Sequence, residues 1–450
     1  MNGNTFSHKI VSFTAVLAAA GFSGVASAAG FALIEQSTSG LGNAYAGGAA
    51  AIDDASVQFF NPAALTEIPG TQISIAGHYI KPRGNISNAS ATVTLVPLGN
   101  ISYSGTTDDA GVDGLIPNFY YVSDLSTSLK FGLGITVPFG LSTEYKDSWI
   151  GRYHAIKSSV ETVNINPALG FKLSDRLSLG AGISAQYIEA NLTTAVDSGS
   201  LCVTLGTACG GPGNPAVDSY VRVRGDDWSY GFNLGLLYKP LDATRVGLAF
   251  RSVVKQNIQG DGVFTRSSAL NAVLGGSPLL TYSAASADID LPSNISLSVA
   301  HGFTPRIEVM ADITWTQWSK FQELRVDFAN PIQPDAVTTQ NWDDTFRYSL
   351  GLSYKLNDRV KLRSGLAFDE APIPSAEYRT PRIPDNDRTW LAFGLTHMSS
   401  NNLSFDLGYA HLFIKDSTID NTTEGSIRAN LKGNYENSVD ILSAQLNYKF

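Results

Sequence analysis

The chain is poor in the residues from which several classes of protein are built. Only two of its 450 residues are cysteine, and only 16% are charged. Two cysteines without a histidine beside them are too few ligands for a zinc site. After the first 24 residues, no apolar run is long enough to cross a bilayer as a helix. A zinc-stabilised domain and a bundle of membrane helices are therefore excluded.

Positive charge is also scarce. The chain has 31 Lys and Arg against 40 Asp and Glu, which gives a formal net charge of −9. Because the phosphates of a nucleic acid repel an acidic surface, this balance argues against a nucleic-acid partner.

The first 28 residues have the pattern of a secretory signal. Lys9 supplies a positive charge, residues 10–24 are mostly apolar and uncharged, and Ala26-Ser27-Ala28 is a small-residue cleavage site. A membrane anchor is the alternative, but the apolar run is too short for a membrane helix. We expect residues 1–28 to be removed, so that the mature chain begins at Ala29.

The two cysteines, Cys202 and Cys209, lie in a stretch rich in glycine and proline. An exported chain meets an oxidising compartment, in which nearby cysteines form disulfides. We therefore predict a disulfide within this loop.

The end of the chain alternates between apolar and polar residues. Leu442, Ala444, Leu446, Tyr448 and Phe450 alternate with polar side chains, and several earlier segments follow the same pattern, including 129–137, 177–187, 230–238 and 346–354. One face of such a strand suits lipid and the other suits a wet lumen. Aromatic residues at both ends of the apolar face are typical of a barrel in a membrane, with its two aromatic girdles.

Short and long connections alternate along the chain. Short polar turns lie near 123–128, 174–176, 241–244, 304–306, 357–359 and 399–402, and longer stretches lie at 83–115, 144–158, 194–226, 259–288, 318–344, 370–388 and 415–436. Barrels with short periplasmic turns and long outer loops have this pattern. The sequence predicts an all-β fold, a fourteen-stranded antiparallel transmembrane β-barrel over residues 71–450, with both termini periplasmic.

Residues 29–70 precede the first predicted strand and have no sustained alternation. They are rich in glycine and alanine and carry little charge. A barrel of this size leaks unless its lumen is filled, and a disordered tail, which is the alternative, is usually polar and charged. We predict that residues 29–70 form an N-terminal hatch, a plug inside the lumen.

Several motifs resemble those of the FadL family of long-chain fatty acid transporters. They are AGFAL at 29–33, EQS at 35–37, SGLGNAYAG at 39–47, DDA at 53–55, NPA at 61–63, FDEAPIP at 368–374 and PDNDR at 384–388. The resemblance covers essentially the whole mature chain. It implies a fourteen-stranded barrel with a hatch, and uptake without energy input. In this family a substrate is captured between outer loops, enters a lumenal pocket and leaves sideways through a gap at a kinked strand.

The third predicted strand contains two residues that disturb a ladder. Pro138 cannot donate a backbone hydrogen bond, and Gly140 tolerates a bulge. Together with Phe139 they predict a break in the pairing of the wall, for which an ordinary bulge near the rim is the alternative. The resemblance implies that this break is the lateral exit, with Asn61, Pro62 and Ala63 of the hatch near it.

The loop 259–288 is unusually apolar for a segment expected to face water. The resemblance implies that it forms a groove with loop 194–226, and the residues predicted to bind an acyl tail are Leu270, Val273, Leu274 and Leu279. The alternative is a loop helix that packs on its neighbour.

A cation in the lumen favours the carboxylate of a bound acid. By alternation, Arg251 and Lys255 are predicted to point inward, as are Arg347 and Arg363, although an ion pair with Asp or Glu is the alternative for each. Thr194 and Thr338 stand where the family pattern places an arginine and a lysine. Losing both cations suits an uncharged hydrocarbon better than an acid.

The sequence thus predicts an outer-membrane channel for long-chain fatty acids or similar hydrophobic molecules, with a monoaromatic hydrocarbon as the alternative substrate. A barrel hydrolase and an open porin are further alternatives, but no histidine lies in a recognisable catalytic motif. We expect no enzymatic activity, no metal and no cofactor. The expected surroundings are outer-membrane lipid and lipopolysaccharide, and the expected state is a monomer.

Overall fold

The structure is a computed structural model that describes residues 30–96, 98–422 and 428–450. The predicted signal peptide and the predicted mature start at Ala29 lie outside the described residues. The helices are short: α1 (Thr38–Gly42), α2 (Val57–Phe60), α3 (Ser198–Thr204) and α4 (Ser268–Leu274), with 3₁₀ turns at Gly48–Ala50, Pro62–Glu67, Pro215–Val217 and Trp318–Lys320. Within the described ranges, no helix is long and apolar enough to cross a membrane.

Strands make up most of the described chain. In chain order they are β1 (Gln72–Leu95), β2 (Gly99–Ser102), β3 (Gly114–Asp124), β4 (Leu129–Thr136), β5 (Gly140–Glu144), β6 (Lys157–Lys172), β7 (Leu177–Val196), β8 (Ser219–Leu241), β9 (Thr244–Arg251), β10 (Val254–Thr265), β11 (Ser283–Leu291), β12 (Asn294–Thr304), β13 (Ile307–Thr316), β14 (Glu323–Phe328), β15 (Ala336–Thr339), β16 (Thr345–Lys355), β17 (Val360–Asp369), β18 (Arg388–Met398), β19 (Leu403–Ile414), β20 (Ser417–Asn421) and β21 (Asn430–Lys449).

These strands form a closed wall of fourteen strands. The first and last, β1 and β21, pair antiparallel from Gln72 opposite Lys449 to Thr92 opposite Asn430. Five wall strands are interrupted and consist of two segments each: β4 with β5, β9 with β10, β11 with β12, β13 with β14, and β19 with β20, both of which pair with β21. β2 and β15 belong to the long loops. The predicted fourteen-stranded antiparallel barrel is confirmed.

The outer face of the wall is apolar. Ile183 is 67% exposed and Leu407 is 57% exposed, whereas the neighbouring inward residues Ser184 and Gln186 are buried. This alternation follows from the two-residue period of a strand, which places successive side chains on opposite faces. A barrel with this surface is suited to a lipid environment.

The hatch lies inside the barrel. Residues 30–70 contain α1, α2 and two of the 3₁₀ turns, and Leu41, Ala44 and Leu65 are completely buried. The interior hatch that formed part of the fold prediction is therefore confirmed.

Glycines of the wall bring the hatch into direct backbone contact. A Cβ atom on Gly235 of β8 would lie 1.9 Å from Oδ1 of Asn61, and one on Gly365 of β17 would lie 2.1 Å from the carbonyl carbon of Asn43. No side chain fits at such distances, so these glycines allow the close approach. At these positions the hatch is in direct van der Waals contact with the wall.

Ion pairs fix the middle of the hatch. Asp53 pairs with Lys361 and, at 3.2 Å, with Arg363 of β17. Arg363 also lies 3.3 Å from Asp406 of β19. Of the alternatives considered for Arg363, the lumen ion pair is the one observed.

Candidate functional site

The wall has a gap between β3 and the third wall strand. The ladder between β3 and β4 ends where Phe119 pairs with Ile135. Beyond the kink, β5 pairs with β6 from Gly140 to Glu144. Among the described residues, its contact with the β3 side is a single bridge between Gly111 and Thr143. Pro138 lies in the kink, as the sequence predicts, and it has no N–H with which to continue the ladder.

The leading residues of the hatch occupy this gap. The N–H of Leu33 donates to the carbonyl of Pro138 at 2.8 Å, and the N–H of Gly140 donates to the carbonyl of Phe31 at 2.9 Å. These two bonds are antiparallel bridge contacts, with Ala32 opposite Phe139. Residues 31–33 therefore take the place of a wall strand along the kink.

The opposite side of the gap also binds the hatch. Asn118 of β3 donates from Nδ2 to the carbonyl of Glu35, and Tyr120 donates its hydroxyl proton to the carbonyl of Gln36, each at 2.9 Å. Gln36 in turn donates from Nε2 to the carbonyl of Val137 at 2.9 Å. Residues 31–36 thus bridge the two edges that do not pair with each other.

Phe31 lies in an aromatic site. Its ring centroid is 4.9 Å from that of Trp318, 5.5 Å from that of Phe321, and 6.0 Å from those of Phe139 and Trp342. The Phe31 side chain is 4% exposed. The contacts with Trp318 and Phe321 are edge-to-face. Such contacts add to the free energy gained by burying the ring, so they help to hold the leading end of the hatch in place.

The motif Asn61-Pro62-Ala63 does not supply the backbone contacts at the gap. Asn61 donates to the carbonyls of Ala49 and Leu236, which places the motif against β8 instead. The close approach at Gly235 holds it there. Residues 31–36 supply those contacts, whereas Pro62 lines the same cavity as Pro138 and Phe139, so a role of the motif at the lateral exit stays a prediction.

That cavity, of about 130 Å³, lies between the hatch and the wall. Its lining is mainly apolar with a few polar groups, the usual composition of a small-molecule site. The apolar lining includes Leu33, Tyr45, Phe59, Phe60, Pro138, Phe139 and Trp318, and the polar lining includes Asn233, Arg251, Ser296, Asp312, Thr314 and Arg347.

Arg251 points into this cavity, as predicted. Its guanidinium donates from Nη2 to the carbonyl of Phe59 at 2.8 Å and lies 4.4 Å from the centroid of the Phe59 ring. In the part of the chain that the structure describes, no ion pair involves Arg251. A buried cation held by a carbonyl and a ring retains donors for an anion.

Arg347 lines the same cavity. Its Nη2 donates to the carbonyl of Ala44 at 2.6 Å, and its guanidinium lies 5.3 Å from the centroid of the Trp390 ring. Nε and Nη1 have no hydrogen-bond partner within the described residues. Asp312 and Asp369 line the cavity as well, so Arg347 shares its surroundings with carboxylates.

Lys255 does not point inward, and that prediction was wrong. The wall strand is interrupted between Arg251, where β9 ends, and Val254, where β10 begins. The interruption changes the alternation, so Val254 and Gln256 are buried and Lys255 is exposed on the opposite face. Residues on either side of such a break cannot be assigned to a face from one continuous period.

The two predicted capture loops pack on each other. Leu270 of α4 is completely buried in a cluster that contains Cys202 and Cys209, which form a disulfide. Leu270 is therefore a packing residue and not part of an open groove, as in the alternative of a packed loop helix. Val273 remains 37% exposed, and Leu274 and Leu279 are half-buried beside it.

Sequence reasoning missed the residues that fill the gap. Phe31, Glu35 and Gln36 appeared only as parts of motifs, and Asn118 gave no signal. Asp385 and Arg388, whose side chains are 3% and 1% exposed, form an ion pair of 2.7 Å near the start of the hatch. In the sequence, these two residues stood out only as members of the PDNDR motif at 384–388.

Comparison with known proteins agrees with this architecture. A family model described as outer membrane protein transport protein (OMPP1/FadL/TodX) matches residues 19–450. The chain is 32% identical to outer membrane protein P1 of Haemophilus influenzae over 473 residues, which cover 99% of both chains. It is 30% identical to the long-chain fatty acid transport protein of Escherichia coli O6:H1, with 94% of both chains covered.

Solved structures show the same barrel. A FadL homologue of Pseudomonas aeruginosa superposes with a TM-score of 0.85 at 27% identity, covering 94% of this chain and 100% of that one. The toluene transporter TbuX of Ralstonia pickettii, at 16% identity and a TM-score of 0.61, shares the fold and covers 91% of this chain and 99% of its own. The chain therefore belongs to the outer membrane protein transport family that includes FadL and TodX.

Proposed function

We propose that the protein takes up long-chain fatty acids, or similar hydrophobic molecules with a carboxylate, passively across the outer membrane. The observation that carries this proposal is the gap between β3 and β5, which is filled by hatch residues 31–36 and not by a wall strand. When these residues move, the cavity behind them opens sideways. A hydrophobic molecule then reaches the bilayer without crossing a polar periplasmic mouth. No enzymatic step is part of the proposal.

Arg251 is the residue that we propose binds the carboxylate. It is a buried cation in a mostly apolar cavity, and its observed partners are a carbonyl and an aromatic ring. Charge-assisted hydrogen bonds to a carboxylate are stronger than those to a neutral carbonyl. Arg347 is a second donor on the same cavity. Thr194 and Thr338 stand where the family pattern has cations. Arg251 therefore supplies the positive charge that these two positions lack.

Capture is proposed at the packed outer loops. Val273, Leu274 and Leu279 present apolar surface beside the disulfide-linked loop, while Leu270 fixes α4 against it. An exposed apolar patch on a loop favours contact with an acyl chain. The proposal also places both termini and the short turns in the periplasm, and the long loops outside among lipopolysaccharide, with the protein as a monomer.

The size of the cavity favours a second candidate, a monoaromatic hydrocarbon. A volume of about 130 Å³ is close to that of engineered protein cavities that hold benzene. A long acyl chain fits only partly unless hatch residues move. The curated Escherichia coli relative is named for long-chain fatty acid transport, and the TbuX structure for toluene.

The two candidates are separated by replacing one cation. We expect Arg251→Gln to weaken binding of a fluorescent long-chain fatty acid to the purified protein about tenfold, because a charge-assisted bond is lost, and to leave toluene binding unchanged. Lys255→Gln is the matched control, since it removes a cation four residues away on the exposed face.

Equal fatty-acid affinity in the Arg251→Gln and Lys255→Gln variants would remove Arg251 from the proposal. If the parent protein bound toluene and no fatty acid, the hydrocarbon candidate would replace the acid.

A further inference from the structure

The PDNDR motif at 384–388 makes a contact that the proposed transport function does not yet use. The N–H of Gly30 donates to Oδ2 of Asp385 at 2.9 Å. Asp385 belongs to the long loop between β17 and β18, so the contact joins the leading end of the hatch to an outer loop. Gly30 is buried, and Asp385 is 4% exposed.

The carboxylate of Asp385 is held in a fixed orientation. Oδ1 accepts from Nε of Arg388 at 3.0 Å and from the N–H of Asn386 at 2.7 Å, and Nη2 of Arg388 lies 2.7 Å from Oδ2. A carboxylate held by this many donors is preorganised to accept a further backbone N–H. Gly30 provides that N–H.

The other side of Gly30 is closed by aromatic rings. A Cβ atom on Gly30 would lie 2.7 Å from Cζ2 of Trp318 and 2.9 Å from Cζ3 of Trp342, and the residue has a φ of +66°. Glycine is the residue that tolerates both the conformation and the close approach. The site is therefore shaped for the backbone of Gly30 itself, with an anion on one side and two indoles on the other.

We propose that Asp385 is a positioning residue that holds the leading end of the hatch across the gap. The inference rests on the proposed lateral exit, because it assigns the group that keeps this exit closed. Backbone bonds at Pro138 and Gly140 align residues 31–33 with the wall, and the Asp385 carboxylate holds the segment at its end. Loss of the Gly30–Asp385 bond frees residues 30–33 to leave the gap.

The test measures how often residue 33 becomes accessible. Leu33 is 2% exposed at the gap, and the native cysteines are bonded to each other, so Leu33→Cys introduces a single reactive thiol. The rate of its modification by an uncharged maleimide reports opening without any substrate. In this background we expect Asp385→Asn to raise the rate about tenfold, as is typical when a hydrogen bond to a charged acceptor is weakened.

Asp387→Asn is the matched control. It removes a carboxylate from the same motif, and this carboxylate accepts from the N–H of Ala371 and lies 3.9 Å from Nζ of Lys415. We expect the parent labelling rate for this variant. An Asp385→Asn variant that labels no faster than Asp387→Asn would overturn the inference.

A second variant tests the same contact from the side of the hatch. Gly30→Ala is expected to raise the labelling rate at least as much, because its Cβ would clash with Trp318 and Trp342 and displace the N–H from Asp385. The double variant with Asp385→Asn is expected to label no faster than Gly30→Ala alone, since that variant has already lost the Asp385 contact. Additive effects would contradict the inference. If the Asp385→Asn variant does not assemble, the Gly30→Ala variant alone decides, and an unchanged labelling rate of Leu33→Cys in that variant would contradict the inference. Uptake by the parent protein tests the exit separately, because labelling needs no transport.

Discussion

Glu35 carries a carboxyl group into the interior of the barrel. Its side chain is 2% exposed, and Oε2 has no hydrogen-bond partner within the described residues. Burial raises the pKa of Glu35 to about 7, against the opposing effects of its own backbone N–H and of Arg388 and Arg347, and with a small contribution from Asp369 in the same direction as burial. The closed hatch therefore favours the neutral form.

This burial predicts that the hatch loosens as pH rises. The pKa of Glu35 in the closed hatch lies above its ordinary value of 4.5, so the closed state binds the proton more tightly than an open, hydrated state. The resulting stabilisation is complete below the ordinary value and is lost as pH rises through about 7. We expect the labelling rate of Leu33→Cys, divided by that of the same variant carrying Glu35→Gln, to increase between pH 6 and pH 8.

The division by the Glu35→Gln rate removes the pH dependence of the thiol itself. A ratio that stays constant over this range would show that Glu35 does not contribute to closure.

Single residues were predictable where the alternation is unbroken. Arg251 and Arg347 were placed correctly because each lies in a regular strand. Lys255 was not, because the interruption at Ser252 and Val253 contains neither proline nor glycine and so gives no sign in the sequence. Without such a sign, the two-residue alternation is assumed to continue from Arg251 to Lys255. That assumption places Lys255 on the wrong face of the wall.

At the scale of elements, the interrupted third wall strand is the central feature. Its first segment, β4, pairs on both sides, and its second segment, β5, pairs fully with β6 alone. A missing ladder leaves backbone groups that must find other partners in a membrane. At this gap the hatch provides them, through Phe31 and Leu33.

Restoring regular strand geometry is expected to impair transport. Gly140→Val places a β-branched residue in the kink, where it favours extended pairing. We expect fatty-acid uptake by cells to fall several-fold while the barrel still assembles, as judged by its resistance to unfolding in detergent on unheated gels.

Gly134→Ala is the control, because it adds a side chain in the regularly paired part of the same wall strand. A Cβ there would lie 3.4 Å from the Tyr120 ring, an ordinary contact. Unchanged uptake in Gly140→Val would show that the kink is not the exit.

The elements themselves were largely predictable, whereas their contacts with the hatch were not. Strands follow from a two-residue period, and the break at Pro138 follows from a missing N–H. The approach of Phe31 to Trp318 and Trp342 joins residues 287 and 311 positions apart, and no local pattern encodes it. The loops show the same limit, since the apolar residues around Leu270 suit both a groove and a packed helix.

The whole molecule is a closed barrel with two candidate routes out of its lumen. One is the gap between β3 and β5, behind the cavity that contains Arg251. The other leads past the hatch to a wide polar cavity of about 540 Å³ near the short turns, lined by Arg306, Lys355, Arg359 and Lys361 among others. A hydrophobic chain is poorly solvated by such a charged mouth, so the sideways route is favoured.

The most direct test maps where a fatty acid travels. A long-chain fatty acid with a photoactivatable diazirine near its tail is taken up by cells that produce the protein, and the labelled peptides are identified by mass spectrometry after irradiation. If the substrate leaves sideways through the gap, labels are expected at residues 31–34, at 137–140 and on the exposed edge of β3 at Leu115. Labels concentrated around Arg306, Lys355 and Lys361, with none at residues 137–140, would contradict the sideways route.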